Sequence, residues 1–210
     1  MSSAPKRKIL HNLSKVDYRG GKSYSSPVFQ FLKPPESPAT ETFKSKITAA
    51  KGEFIFCNNT TEFKNKVDLL INRKSFRQIA CTESAIKELL PDTINVSENF
   101  SDQTEASITG CECMVAQTGS VVVSTAQTGS RKTFSFAPVH IVVGSRNKLV
   151  TLLDDAFTLI AEKYSGNIPS QITFITGPSR TADIEKTLVL GAHGPKELII
   201  FYIDEILLND

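Results

Sequence analysis

Several common signals are missing from this 210-residue chain. It has no tryptophan, only four cysteines and three histidines, and no nucleophile elbow, P-loop, GxGxxG or HExxH motif. The cysteines, Cys57, Cys81, Cys111 and Cys113, form neither paired C-x-x-C sites nor the ferredoxin spacing. Free cysteine is among the most buried residue types. We therefore expect four small buried side chains, with no metal, no iron–sulfur cluster and no flavin.

Long apolar runs are also missing. The longest, Leu198–Ile203, has six residues, whereas a membrane-spanning helix needs about 20. The basic triplet at residues 6–8 is followed by Ile9-Leu10 and then by His11-Asn12, so no apolar signal-peptide core forms. These absences predict a cytoplasmic protein without a membrane span.

Charge is distributed unevenly along the chain. The net charge is +2, but residues 1–51 hold ten basic and three acidic side chains, so the remainder carries −5. A basic arm can indicate a nucleic-acid partner. Here the basic residues are spread out and scarcely interleaved with aromatic ones. We therefore expect no nucleic-acid partner and interpret the arm as one that docks on an acidic body or an acidic partner.

The chain divides into an arm and a body. Apolar residues at 9, 10, 13 and 16 share one face of a short helix, and the stretch from Gly20 to Thr40 contains four prolines. We expect residues 1–39 to form an N-terminal helix and a proline-rich linker, and residues 40–210 to form one α/β domain.

The body alternates between strand and helix patterns. Expected strands cover 53–57, 75–81, 94–96, 121–123, 139–143, 171–176 and 198–203; expected helices follow Thr40, Asn59 and Cys81 and cover 151–164. Asn59 and Glu62 have the spacing of a helix N-cap. Alternation on this scale is typical of βαβ units, so the predicted fold class is α/β, with a mainly parallel sheet and flanking helices.

Three segments, 108–120, 176–185 and 191–195, are rich in turn residues and polar side chains. In the second, a strand ends at Gly177, and the hydroxyls of Ser179 and Thr181 can converge with Arg180 on an anion. Open parallel sheets bind ligands outside the carboxyl ends of their strands, where we expect this loop. The alternative is that these side chains only cap a helix or form surface ion pairs.

The same segments carry a family resemblance. The strings GPSRTADIE at 177–185 and GAHGPKEL at 191–198 resemble the signature of the LUD domain found in lactate utilization proteins. The stretch 108–120 and the string PVHIVV at 138–143 resemble the central motif of that family. The family usually has Glu-Thr-Gly-Thr where this chain has Gln117-Thr-Gly-Ser, and neutral Gln117 cannot serve as a general base.

The resemblance implies the fold shared by ribose-5-phosphate isomerase, glucosamine-6-phosphate deaminase and CoA transferases. It also implies a role in a three-protein system that oxidises L-lactate to pyruvate, in which this chain is the cluster-free subunit and its partners carry iron–sulfur clusters. The alternative is a stand-alone isomerase or transferase acting on a phosphorylated or CoA-linked substrate. The residues leave open whether the chain itself catalyses a reaction.

We expect the site to bind a small carboxylate or phosphate. The candidate ligand-binding residues are Glu112, Thr118, Gly119, Gly177, Ser179, Arg180, Thr181 and Gly194. Under the alternative function, Asp183, Glu185 and His193 would supply acid–base chemistry. The turn at 179–181 is expected to face the turn at Thr118-Gly119 across a cleft.

Overall fold

The computed structural model describes residues 36–181, 189–190 and 194–207. The predicted N-terminal helix and most of the linker lie outside these ranges, so the division at residue 39 stays a prediction. None of the helices in the described ranges is long and apolar enough to cross a membrane.

The described residues form helices and strands in alternation. The helices are α1 (Ala39–Ala49), α2 (Thr60–Lys74), α3 (Ser84–Leu89), α4 (Thr125–Thr128), α5 (Lys132–Ser135) and α6 (Leu153–Tyr164), with a 3-10 turn at Arg146–Lys148. The strands are β1 (Glu53–Cys57), β2 (Ile79–Ala80), β3 (Ala106–Thr109), β4 (Cys113–Val115), β5 (Ser120–Ser124), β6 (Val139–Ser145), β7 (Leu149–Val150), β8 (Ile172–Ile175), β9 (Arg180–Thr181), β10 (Val189–Leu190) and β11 (Glu197–Ile203).

The main sheet, sheet A, has five parallel strands in the order β1-β11-β6-β3-β2. Its central strand β6 is buried along its whole length, which is why residues 139–143 are apolar apart from His140. The predicted fold class, α/β with a mainly parallel sheet and flanking helices, is confirmed.

A second sheet, sheet B, has the order β7-β4-β5-β8. Strands β4 and β5 form an antiparallel hairpin, β8 pairs antiparallel with β5, and β7 pairs parallel with β4. The sequence pattern predicted β5 and β8 but not this separate sheet, because a short strand does not reveal its neighbours. Strands β9 and β10 pair as a short antiparallel ribbon.

Alternation of side chains explains how the layers pack. Residues such as Ile108 and Ile141 face α2 and α3, where Phe63 meets Phe201 edge-on at 5.3 Å between ring centroids. Their neighbours on the opposite face of sheet A pack against α1 and sheet B, and the outer face of sheet B packs against α6. The chain is therefore layered as α2 and α3, sheet A, α1 with sheet B, and then α6.

Two predicted strands differ from the structure. Of residues 75–81 only Ile79–Ala80 pair in a strand, and residues 94–96 form none; Ser97 makes a single bridge to Ala80. Ile94 is buried in the core, so its apolar character reflects packing rather than sheet pairing. The helix start at Asn59 is confirmed, because its side chain accepts a hydrogen bond from the backbone N–H of Glu62 at 2.9 Å.

Candidate functional site

Three neighbouring strands of sheet A, β2, β3 and β6, end at the same edge, which we call the carboxyl edge. The chain continues from β2 to Glu83, from β3 to Gly110 and Glu112, and from β6 to Lys148. Ligands of open parallel sheets bind at this edge. The residues named here, with Gln127, Lys163 and Tyr164, are called the carboxyl-edge cluster below.

Glu83 lies directly over Gly110. Its Oε1 atom accepts a hydrogen bond from the Gly110 backbone N–H at 3.0 Å. A Cβ on residue 110 would approach the Nε2 atom of Gln127 to 2.7 Å and Oε2 of Glu83 to 3.0 Å. Because residue 110 is glycine, the side chains of Gln127 and Glu83 can both approach its backbone closely. Burial raises the pKa of the Glu83 carboxyl to about 7, although the hydrogen bonds from Gly110 and Gln127 and the charge of Lys148 lower it.

Glu112 has no exposed side-chain surface, and its carboxylate is enclosed by donors. Its Oε1 accepts hydrogen bonds from the hydroxyls of Ser124 and Tyr164, and its Oε2 accepts one from the Nζ of Lys163 at 2.7 Å. Burial alone would raise the pKa of this carboxyl, but these hydrogen bonds and the charge of Lys163 together lower it. Glu112 is therefore anionic at neutral pH.

The carboxyl-edge cluster thus contains two carboxyls whose pKa values move in opposite directions. Such pairs are typical of sites that transfer protons, because one group stays charged while the other can gain or lose a proton near pH 7. Lys148 adds a positive charge that acts on both Glu83 and the Cys113 thiol. The cluster can attract a small anion to Lys148 and exchange a proton at Glu83.

Most of the other predicted residues lie at the opposite, amino edge of sheet A, around the last turn of α1. A Cβ on Gly119 would approach the backbone N of Ile47 to 2.6 Å, and one on Gly177 would approach the carbonyl O of Ala50 to 2.3 Å. Both glycines also have positive φ, +67° and +88°. The structure therefore brings these two predicted residues to one helix end.

Arg180 also reaches this helix end, where its guanidinium donates a hydrogen bond to the carbonyl O of Ala50. A cation at a helix C-terminus is favourable. Thr118, the next predicted residue, shares a hydrogen bond with Ser120, whose hydroxyl shares another with Thr176 at 2.6 Å. The two predicted turns are therefore linked through hydroxyls, and Arg180 has a protein partner there.

Ser179 and Gly194 belong to the two strings that resemble the family signature, at 177–185 and 191–198, and they lie next to each other. The backbone N–H of Ser179 donates to the carbonyl O of Pro195 at 2.8 Å, and a Cβ on Gly194 would lie 3.1 Å from Cβ of Ser179. The following N–H of Lys196 donates to the carbonyl of Pro138, just before β6 begins. This loop therefore leaves sheet B and returns at the amino edge of sheet A, not at the carboxyl edge as the sequence led us to expect.

The remaining predicted residues are only partly placed. Thr181 pairs through its backbone with Val189 in the β9–β10 ribbon. The candidate acid–base residues Asp183, Glu185 and His193 lie outside the described residues. Glu112, by contrast, lies at the carboxyl edge, at the far end of the β4–β5 hairpin from Gly119. The predicted site residues are therefore separated in the structure: Glu112 lies at the carboxyl edge, whereas Gly119, Gly177 and Arg180 lie at the amino edge.

Gln117, which departs from the family pattern, has a structural partner. Its Oε1 accepts a hydrogen bond from the backbone N–H of Leu153, the first residue of α6, at 3.1 Å. Its own N–H donates to the carbonyl of Thr151 at 3.1 Å. A carboxylate could accept the same bond, so the substitution of Gln for Glu preserves this cap.

Of the carboxyl-edge cluster, only Glu112 was a predicted site residue. Sequence reasoning missed the other six: Glu83, Gly110, Gln127, Lys148, Lys163 and Tyr164. Lys163 and Tyr164 end a helix that was predicted, but nothing in their spacing indicates that they reach Glu112. The one usable signal was the position of Glu83 and Lys148, each just beyond the end of a strand. Comparing strand ends rather than motifs would have placed them together.

All four cysteines are buried, and none of them forms a disulfide bond. Burial raises the pKa of Cys57 to about 11 and those of Cys81 and Cys113 to about 12. Cys111 and Cys113 face different cores, on opposite sides of sheet B. Among the residues that the structure describes, no group of three or more histidine, cysteine or acidic side chains is arranged to hold a metal ion.

Comparison with known proteins identifies the family to which this chain belongs. The chain matches the LUD domain over residues 82–203, from the loop before Glu83 to the end of β11. This chain belongs to the LUD domain family. The match includes Glu83 and Glu112 at the carboxyl edge and Gly119 and Gly177 at the amino edge, whereas α1, β1 and β2 precede it.

Individual relatives share part of their length with the chain. It is 37% identical over 100 residues to lactate utilization protein C of Geobacillus sp. (46% of this chain and 41% of the relative) and 32% identical over 96 residues to that of Bacillus subtilis (45% and 40%). An uncharacterized protein of Neisseria meningitidis is 33% identical over 105 residues (50% and 44%). The matched segments thus span less than half the length of these curated relatives.

A solved structure shows the same fold. The crystal structure of a DUF162 family protein from Deinococcus radiodurans superposes with a TM-score of 0.63, covering 79% of this chain and 96% of that one. The sequence identity is 16%, so this similarity supports the fold only.

Proposed function

We propose that this chain is the cluster-free subunit of a cytoplasmic lactate-utilization system that oxidises L-lactate to pyruvate together with iron–sulfur partner proteins. Membership in the LUD domain family and relatives named lactate utilization protein C support this role. The observation that carries the chemical part of the proposal is the pair Glu83 and Glu112 at the carboxyl edge, with opposite pKa shifts and two lysines beside them.

The ligand we propose is a small monoanionic hydroxy acid. Lys163 is paired with Glu112 at 2.7 Å, and Lys148 lies close enough to Glu83 for its charge to lower the pKa of that carboxyl. We propose Lys148 as the cation that contacts the ligand carboxylate. A phosphate dianion would meet two carboxyls and two ammonium groups, a balance that leaves no excess positive charge. A monoanionic carboxylate brings one negative charge fewer than this dianion, so we favour it over the phosphorylated substrates of the alternative isomerase or transferase function.

We propose that Glu83 contacts the hydroxyl group of the ligand. Oxidation of L-lactate to pyruvate releases two electrons and two protons. Under this proposal, the electrons pass to the iron–sulfur clusters of the partner proteins. A carboxyl with a pKa of about 7 can accept a hydrogen bond from a hydroxyl and take its proton. This chain would thus hold the acid and take its hydroxyl proton, and the proton of the C–H bond and the two electrons would pass to the partner proteins.

The anion contact predicted at Ser179, Arg180 and Thr181 stays a prediction. The hydrogen bond from Arg180 to Ala50 supports a stabilising role at the end of α1 instead. Comparing ligand affinity in variants of Lys148 and Arg180 shows which of the two edges binds the ligand.

Reconstitution tests the proposed function. The chain should be purified with its two iron–sulfur partners, and electron transfer from L-lactate to an artificial acceptor should be measured with each component omitted in turn. We expect the rate to fall to background without this chain and to return when it is added back. A full rate without it would overturn the proposal, and turnover of a sugar phosphate or a CoA ester by the chain alone would favour the alternative.

A further inference from the structure

Four buried polar atoms of the described residues have no hydrogen-bond partner: Nδ1 of His140, Oγ of Ser107, Oγ1 of Thr133 and Oε1 of Gln127. His140, Ser107 and Thr133 have no exposed surface at all. A buried polar group without a partner costs about 1–3 kcal/mol. Four such atoms in one region therefore call for a physical explanation.

These atoms belong to elements that pack together. Ser107 and His140 are register partners on the adjacent strands β3 and β6, so their side chains emerge from the same face of sheet A. That face packs against the segment that contains Thr133, because its neighbour Phe134 shares a core with Val142. Gln127, on α4, lies over Gly110, just beyond the end of β3.

Hydrogen bonding fixes the tautomer of His140. The Thr109 hydroxyl lies 2.9 Å from Nε2 of His140 and 2.9 Å from the carbonyl O of Gly110. The hydroxyl has one proton and the carbonyl can only accept, so both contacts are made only if the hydroxyl donates to Gly110 and Nε2–H donates to the hydroxyl. Nδ1 of His140 then carries a lone pair and needs a donor.

We propose that His140, Ser107 and Thr133 enclose a binding site for one small uncharged molecule that bears an O–H group, with water as its occupant in the isolated protein. Such a molecule donates to Nδ1 of His140 and exchanges hydrogen bonds with the two hydroxyls. Buried waters in proteins make about three hydrogen bonds to polar groups that otherwise lack partners. This site is separate from the proposed hydroxy-acid site and does not depend on it.

The chemistry of the lining excludes an ion as the occupant. None of the three lining residues is charged, and burial lowers the pKa of His140 to about 3, so its imidazole is neutral under ordinary conditions. A carboxylate would enter a region without a compensating cation, which is costly. Water or a short alcohol meets the requirement.

Variants that lack one hydroxyl test this proposal, because the direction of the change in Tm depends on whether the site is occupied. If the site is occupied, Thr133→Val and Ser107→Ala each remove a partner from the bound molecule, and the Tm should fall by about 2–4 °C, as expected for roughly 1 kcal/mol in a chain of this size. If the site is empty, the same variants remove an unpaired buried hydroxyl, and the Tm should stay the same or rise. Thr104→Val is the matched control, because the buried Thr104 hydroxyl accepts from the N–H of Ser101 at 3.0 Å and should lower the Tm in either case.

A crystal structure of the full wild-type chain provides the second readout, which does not depend on whether a variant folds. We expect a density peak at hydrogen-bond distance from Nδ1 of His140 and from at least one of the two hydroxyls, and its loss or displacement in Thr133→Val. No peak, a side chain of the protein itself in that position, or an unchanged or raised Tm in both variants would overturn the proposal.

Discussion

Glu83 accepts a hydrogen bond from the backbone of Gly110, only two residues before Glu112, and the fold moves the pKa values of the two carboxyls in opposite directions. Glu83 is half-buried with few compensating charges, whereas Glu112 is buried with a lysine and two hydroxyls as donors. The local difference in donors, not the residue type, determines which carboxyl stays charged.

The first prediction concerns pH and Glu83. Its pKa is about 7 in the folded chain, against 4.5 as the ordinary value. Between these values the folded state binds more protons than the unfolded state, so this carboxyl lowers the free energy of unfolding as pH rises from about 4.5 to 7. Glu83→Gln should therefore become more stable relative to wild type between pH 5 and pH 8, by as much as about 3 kcal/mol. Urea unfolding at the two pH values measures this difference.

Glu105→Gln is the control for that experiment. The Glu105 carboxylate also accepts a backbone hydrogen bond, from Arg77 at 2.6 Å, but this bond lowers its pKa. Its stabilising contribution is complete above pH 4.5 and is lost only as pH falls further. Glu105→Gln should therefore gain nothing between pH 5 and pH 8. An equal response in the two variants would contradict the assigned pKa shift of Glu83.

The second prediction concerns the ion pair between Lys163 and Glu112. Lys163→Met leaves a fully buried carboxylate without its cation, and we expect a loss of about 2–4 kcal/mol in the free energy of unfolding at pH 8. The loss should shrink at pH 5, because protonation of Glu112 removes the unpaired charge. Adding Glu112→Gln to Lys163→Met should recover part of the loss at pH 8.

Lys74→Met is the matched control for this pair. Lys74 contacts Glu197 at the same kind of distance, 2.6 Å, but the Glu197 side chain is 46% exposed. Exposed pairs contribute about 0–1 kcal/mol. If both lysine variants lose the same small amount, Glu112 is better solvated than the structure indicates.

The third prediction compares two glycines with nearly equal φ. Gly166 has φ +87° with no heavy atom within 4 Å of a Cβ, whereas Gly177 has φ +88° and would place a Cβ 2.3 Å from the carbonyl O of Ala50. Gly166→Ala should cost about 1–2 kcal/mol from backbone conformation alone. Gly177→Ala should cost a further 1–3 kcal/mol, roughly, because the backbone must move. Equal costs would mean that Gly177 does not touch α1.

The fourth prediction concerns Arg180. As a cation at the end of α1, it should contribute about 0.3–1 kcal/mol, which Arg180→Ala removes. Arg180→Lys should retain most of this contribution, since a helix end needs only a positive donor. Recognition of a carboxylate by a guanidinium fork would instead leave Lys clearly inferior to Arg in ligand affinity. Thermal unfolding and ligand titration of both variants distinguish these roles.

Much of the fold could be predicted from the sequence, because local signals agreed with tertiary packing. Strand β1, the capped start of α2, and strand β11 have strong local patterns, and they appear where they were expected. Strands β3 and β4 were missed because they have only four and three residues, too few for alternation to show. The pairing of β4 with β7 depends on contacts that no local pattern encodes.

The site was less predictable for a physical reason. The motif residues Gly119 and Gly177 are glycines because α1 packs against their backbone, so a dense signature at these positions reflects packing as well as function. The importance of Glu83 depends on its burial and on the Gly110 N–H, neither of which can be deduced from its neighbours in sequence. Family resemblance predicted the fold and the family correctly, but not which edge of the sheet holds the shifted carboxyls.

Calorimetric titration of L-lactate into the full chain at pH 7 tests the central claim most directly. Wild type should bind, Lys148→Met should lose a charge-assisted contact worth roughly 1.5–3 kcal/mol and so weaken binding by about 10- to 150-fold, and Arg180→Ala should bind like wild type. Loss of binding in Arg180→Ala with full binding in Lys148→Met would move the ligand to the amino edge and contradict the account. Absence of binding by wild type would contradict it as well.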